Sequence, residues 1–238
     1  MANAHSRIPL VLMNRWHLCG SCLAKIWMLT LALCGGMGMQ EVWGQARRQA
    51  IQGLDQEVVW HDNVGMALQA QRRGEIVQAL DLSRQRLKYL PRTLEQLPDL
   101  KYLLLNRNKL RDLPKWLSEM TDLRAILADH NQFDVFPVVL LDMPWVTQIS
   151  MGENYIPAIP LDIDKMASLE ILELWGNVLA RFPASLGDMP SLRALDLLHN
   201  EMTAEEQEFL KALLPNVELN MSAPCLCEFD DPVQSNAP

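Results

Sequence analysis

The chain has 238 residues, with 21 basic against 29 acidic and a net charge of −8 at pH 7. That balance disfavours nucleic acid as a partner, because a protein that tracks phosphates needs a basic stripe. The short run at Arg72 and Arg73 reads as the solvated end of a helix.

In the first 45 residues, Arg7, Arg15 and Lys25 precede an uncharged apolar run from Ile26 to Met39, the pattern of an export signal. The run is shorter than the roughly 20 residues that cross a bilayer, which favours cleavage, after Gly44 or Ala46. Export would place the protein in the periplasm, in the cell envelope or outside the cell. Membrane association through residues 26–39 as an uncleaved anchor is the first alternative, and a cytoplasmic location the second. Lipidation at Cys34 is a third, since Leu31 to Gly35 resembles a bacterial lipobox, although Leu33 stands where that pattern wants a small residue.

Residues 46–76 form an N-terminal cap region. Asp62 or Asn63 is placed to cap a helix in which Val64, Ala67, Leu68 and Gln71 share a face, with Gly74 ending it.

From Val77 the chain is periodic. Asn108, Asn131, Asn154, Asn177 and Asn200 recur every 23 residues, each in the same apolar frame. The units read VQALDLSRQRLKYLPRTLEQLPD, LKYLLLNRNKLRDLPKWLSEMTD, LRAILADHNQFDVFPVVLLDMPW, VTQISMGENYIPAIPLDIDKMAS and LEILELWGNVLARFPASLGDMPS; a sixth, from Leu192, drifts after Met202. Apolar residues at the fourth and sixth places, such as Leu103 and Leu105, share one face of a short strand. Such a strand cannot bury that face alone, so successive coils stack in parallel around one core. The asparagine follows where the chain turns, and its amide can pair stranded backbone groups as donor and acceptor. An apolar residue and a proline, as at Pro91, Pro114, Pro137, Pro160 and Pro183, then bend the chain onto the far side. This frame uses the methionines as core filling, not as metal ligands.

The units resemble the leucine-rich repeat family in its 23-residue form, LxxLxLxxNxLxxLPxxLxxLxx, over residues 77–221. The resemblance implies an α/β repeat solenoid: a horseshoe arc with a parallel sheet on its concave side and helical caps at both ends. Gln85 replaces the first asparagine, and Glu205 and Glu206 replace the last apolar residue and proline, as atypical end coils should. Thr203 with Glu206 has capping-box form, so a capping helix is expected over 204–214 and a last strand over 217–221. Residues 222–238 read as a disordered tail. Its Cys225 and Cys227 are too close for an unstrained disulfide and have no neighbouring ligands for a metal.

Function in this architecture usually lives on the concave strand surface, so the resemblance implies a non-catalytic scaffold for a protein partner, with no cofactor; a membrane-anchored structural envelope protein or a cytoplasmic scaffold of the same family is the alternative. The third, fifth and eighth places of each unit build that face. Tyr102, Leu104 and Leu127 are expected to form an exposed apolar patch beside Arg107 and His130, with Ile171 and Trp175 as a second anchor. His130 and Glu153 are ladder neighbours within reach of a hydrogen bond, but no nucleophile surrounds them. His130 and His199 are too far apart to share a metal. Some bacterial members are ubiquitin ligases with a catalytic cysteine in a separate C-terminal domain, for which the residues after Met221 leave no room.

Overall fold

The computed structural model describes Ile51 and residues 58–225. The proposed signal or anchor, Cys34, and the tail with Cys227 lie outside the described residues. The chain divides into two compact units, residues 1–54 and 55–238, and the second holds every element that follows.

Eight strands form one parallel sheet in chain order: β1 (Trp60–His61), β2 (Ala79–Asp81), β3 (Tyr102–Leu104), β4 (Ala125–Leu127), β5 (Gln148–Ser150), β6 (Ile171–Glu173), β7 (Ala194–Leu197) and β8 (Glu218–Met221). The register follows the 23-residue period without a slip, with Tyr102 opposite Ala125 and Leu104 opposite Leu127. One coil per strand is what this period produces. The structure is an α/β repeat solenoid.

The core runs through the whole array. Leu80, Leu103, Ile126, Ile149, Leu172 and Leu195, all at the fourth place, are fully buried, as are Leu105 and Leu174 at the sixth. Burying each such leucine stabilises the fold by about 1.5–3 kcal/mol. Pro91, Pro114, Pro137 and Pro183 each precede a short 3-10 turn with φ between −75 and −65, the value the ring imposes. In the fourth coil the turn starts later, after Asp162, and is shorter (Ile163–Lys165).

Helices close both ends. α1 (Val64–Arg72) is capped by Asn63, whose Oδ1 accepts from the N–H groups of Gly65 and Met66. Gly74 follows it at φ +84. α2 (Ala204–Leu213) is capped by Thr203, which accepts from the Glu206 N–H at 3.2 Å. Just past β8, the Cys225 N–H donates to the Met202 carbonyl. No described helix is long and apolar enough to cross a membrane.

One sequence expectation is overturned. Leu104, Leu127 and Ile171, expected to be exposed on the face turned away from the core leucines, are 0%, 2% and 8% exposed. Ala125, Gln148 and Ser150 on that same face are buried too. Each of these side chains is flanked about 5 Å away by its equivalents on the neighbouring strands, and strands buried on both faces read as continuous apolar runs. Tyr102 to Leu105 and Ala125 to Ala128 are such runs, not alternating ones.

Candidate interaction surface

The rim where each strand turns is accessible. The five asparagines build it. The Nδ2 of Asn131 donates to the carbonyls of Leu105 and Ala128, and its Oδ1 accepts from the Leu110 N–H, at 3.0, 2.9 and 3.1 Å. Asn108, Asn154, Asn177 and Asn200 repeat this pattern, so each amide ties its own coil to the preceding one.

The residue at the eighth place, just before each asparagine and before Gln85 in the first unit, is left-handed: Arg84, Arg107, His130, Glu153, Gly176 and His199 have φ between 52 and 65. A left-handed residue in every coil is a property of the turn, not of one special site. Sequence reading missed it because only Gly176 carries the usual signature. Along this row Arg84, Arg107, Glu153 and His199 are exposed, and His130 is half-buried.

The expected site residues separate into a buried and an accessible set. Leu104, Leu127 and Ile171 are buried. Tyr102 is half-buried, its ring centroid 6.3 Å from that of Trp60. Arg107 is exposed. Trp175 is half-buried and meets His130 edge-on, with centroids 5.6 Å apart and an interplanar angle of 81°. These two, expected in separate clusters, are brought together. Among the described residues no hydrogen bond joins His130 to Glu153. Burial, then the Arg107 guanidinium, lower the His130 pKa, against Glu153 and Asp129, which raise it.

Beside them lies an acidic row that the sequence reading did not single out. The Asp129 Oδ1 accepts from the Ser150 hydroxyl at 2.7 Å and from the Gly152 N–H at 2.8 Å. Burial raises the Asp129 pKa, and these two bonds partly offset it. Glu173 is pushed up to about 7, chiefly by burial, then by Asp129 and Asp196, against hydrogen bonds with Ser150 and Gln148. Ser150 thus serves two carboxyl groups with one hydroxyl hydrogen, which favours a proton on one of them. The places of Asp129, the seventh of its unit, and of Ser150 and Glu173, each the fifth, are the signal that could have found this row. Among the described residues no cluster of three or more His, Cys, Asp or Glu could hold a metal ion.

A family model described as leucine rich repeat matches residues 76–133. A leucine-rich repeat protein of Leptospira interrogans superposes with a TM-score of 0.54 and 29% identity, over 57% of this chain and 34% of that one. Internalin C2 of Listeria monocytogenes superposes at 0.50 with 18% identity, over 61% of this chain and 62% of that one. The chain therefore spans less than two thirds of the length of either. No curated protein matches it. Residues 76–133 match the leucine-rich repeat family, and the register and the asparagine bonds carry the same frame through the rest of the array.

Proposed function

We propose that the chain is a non-catalytic scaffold that binds a protein partner on the concave side of its strand array, at the rim that carries Tyr102, Arg107, His130 and Trp175. The row of left-handed turns carries this reading: one rigid backbone frame, repeated coil after coil, presents a different side chain each time. Such a frame holds chemically varied groups in fixed order at little cost in ordering entropy, which suits recognition of a preformed surface. Arg, Tyr and Trp are the side chains that most often anchor interfaces. Leu104, Leu127 and Ile171 now support this rim from below. The basic residues ahead of Ile26–Met39 support export as the route by which the scaffold reaches its partner.

A photoreactive residue placed at position 102 or 107 is expected to capture a protein in the native cell envelope, and one at Asp188 is not. Equal capture from all three positions, or capture from Asp188 alone, would move the working surface elsewhere.

A further inference from the structure

The eighth, tenth and twelfth places of the first two repeats are all basic: Arg84, Arg86 and Lys88, then Arg107, Lys109 and Arg111. All six side chains are exposed. The turns that carry them are locked together. The Arg84 N–H donates to the Asn106 carbonyl at 2.9 Å, the Lys109 N–H to the Leu87 carbonyl at 2.8 Å, and the Leu87 N–H to Asn108 Oδ1 at 3.0 Å. Equivalent residues of adjacent coils therefore stand side by side, about 5 Å apart as on any parallel ladder. The result is a grid of cations, two coils wide and three residues long.

Three observations separate this grid from an ordinary solvated face. The chain as a whole is acidic, so its composition does not demand it. No ion pair among the described residues involves any of the six, whereas Arg92, Lys165, Arg193 and Lys211 each pair with a nearby carboxylate. The pattern also stops abruptly: Asp134 takes the twelfth place in the third coil and Glu153 the eighth in the fourth. Packed like charges repel, and a ligand with several closely spaced anionic groups relieves that repulsion while releasing counterions. Four of the six are arginines, whose planar fork matches the oxygens of sulfate and phosphate two at a time. Tyr89, 83% exposed, follows Lys88 directly and offers an apolar ring face at the edge of the grid.

We propose that the turn edge of the first two coils binds a short anionic polysaccharide, its sulfate or phosphate groups on Arg84, Arg86, Lys88, Arg107, Lys109 and Arg111 and a sugar ring on Tyr89. The narrowness of the grid selects a flexible chain over a flat lipid surface. The acidic coils beyond it repel any long polyanion. Sulfated and phosphorylated glycans share the chemistry, and the test separates them.

The test measures binding of a sulfated hexasaccharide and of a phosphorylated oligosaccharide of equal charge to the full chain by calorimetry, at low and moderate salt. Binding that weakens steeply with salt is expected for one or both, and the tighter probe names the anion. The double variant Lys88→Gln/Lys109→Gln should lose about tenfold or more in affinity, and Arg181→Gln/Arg193→Gln, which removes the same charge outside the grid, should lose far less. Both pairs are exposed, and a cooperative melt verifies folding. The Tyr89→Ala variant should weaken the oligosaccharides and leave inorganic sulfate unchanged. The proposal is overturned if neither probe binds, if the two double variants behave alike, or if single-stranded DNA of equal charge or anionic vesicles bind more tightly than either glycan.

Discussion

Trp175 reaches back from the fifth repeat to set its indole edge-on against His130 in the third, covering Gly152 in between. A Cβ at Gly152 would lie 2.2 Å from Cε2 of that indole, closer than side chains tolerate. Gly152→Ala should therefore destabilise the fold by about 1–3 kcal/mol. In a Trp175→Ala background the atoms it would meet are gone, and the loss should shrink to a few tenths. A double-mutant cycle by denaturant unfolding measures this. If Gly152→Ala costs the same with and without the indole, the glycine serves some other purpose.

The asparagine amides give the array its second kind of cohesion. Asn154 donates to the carbonyls of Ala128, Met151 and Gly152 and accepts from the Phe133 N–H. Asn154→Ala leaves the buried Phe133 N–H without its partner, while the three carbonyls keep Asn131, Asn177 and the His130 N–H as donors, an expected loss of about 1–3 kcal/mol. Asn154→Asp should cost more, because a carboxylate keeps the acceptor, loses every donor and puts a charge against those carbonyls. Thermal melts of the two variants rank them, and an Asp variant as stable as wild type would contradict the bonding pattern.

The left-handed turns predict an asymmetry that composition alone does not. Gly176 has φ +65, and the nearest atom to an added Cβ is the mobile Oε1 of Glu153, so Gly176→Ala meets backbone strain more than crowding. It should cost about 1 kcal/mol. His199→Gly, at φ 58 and exposed, should remove strain of the same kind and leave stability level or raised by a few tenths. Chemical unfolding that shows His199→Gly to be the more damaging of the two would show that the side chain outweighs the backbone there.

Much of this fold was legible because one rule repeats: leucines at the fourth and sixth places, asparagine at the ninth and a proline later fix strand, turn and bend in turn. The surface was harder to read. Leu104 and Leu127 occupy alternate places, which suggests an outward face, yet both are buried; Leu104→Ala should thus cost about as much as Leu105→Ala, on the order of 2–5 kcal/mol. The cation grid was hidden for a related reason. Its members are spaced by two along the chain and by 23 between coils, so no linear run of charge reveals them, and only the register brings them together. The meeting of Trp175 with His130, two repeats back, depends on the indole lying across Gly152, its equivalent in the adjacent coil, and the period aligns those positions without saying which way the ring lies.

Glu173 makes the stability of this array depend on pH in an unusual direction. An ordinary paired carboxylate has a lowered folded pKa and stabilises the fold as pH rises. Here the folded pKa, about 7, lies above the ordinary value of 4.5, because burial and the neighbouring Asp129 and Asp196 oppose the charge. The folded state therefore holds more protons than the unfolded chain between about pH 4.5 and 7, and stability must fall as pH rises through that window. Below it the contribution of Glu173 is fully present, and above it the loss is complete. Glu173→Gln keeps the shape and the hydrogen bonding of the protonated acid, so it should match wild type near pH 4.5 and exceed it increasingly up to pH 7, then hold a constant advantage. Melting temperatures of both proteins across this range test the linkage; a difference that stays flat from pH 4.5 to 7 would mean that Glu173 is already ionised in the folded chain, with Ser150 giving its hydrogen to that carboxylate and leaving Asp129 to the Gly152 N–H.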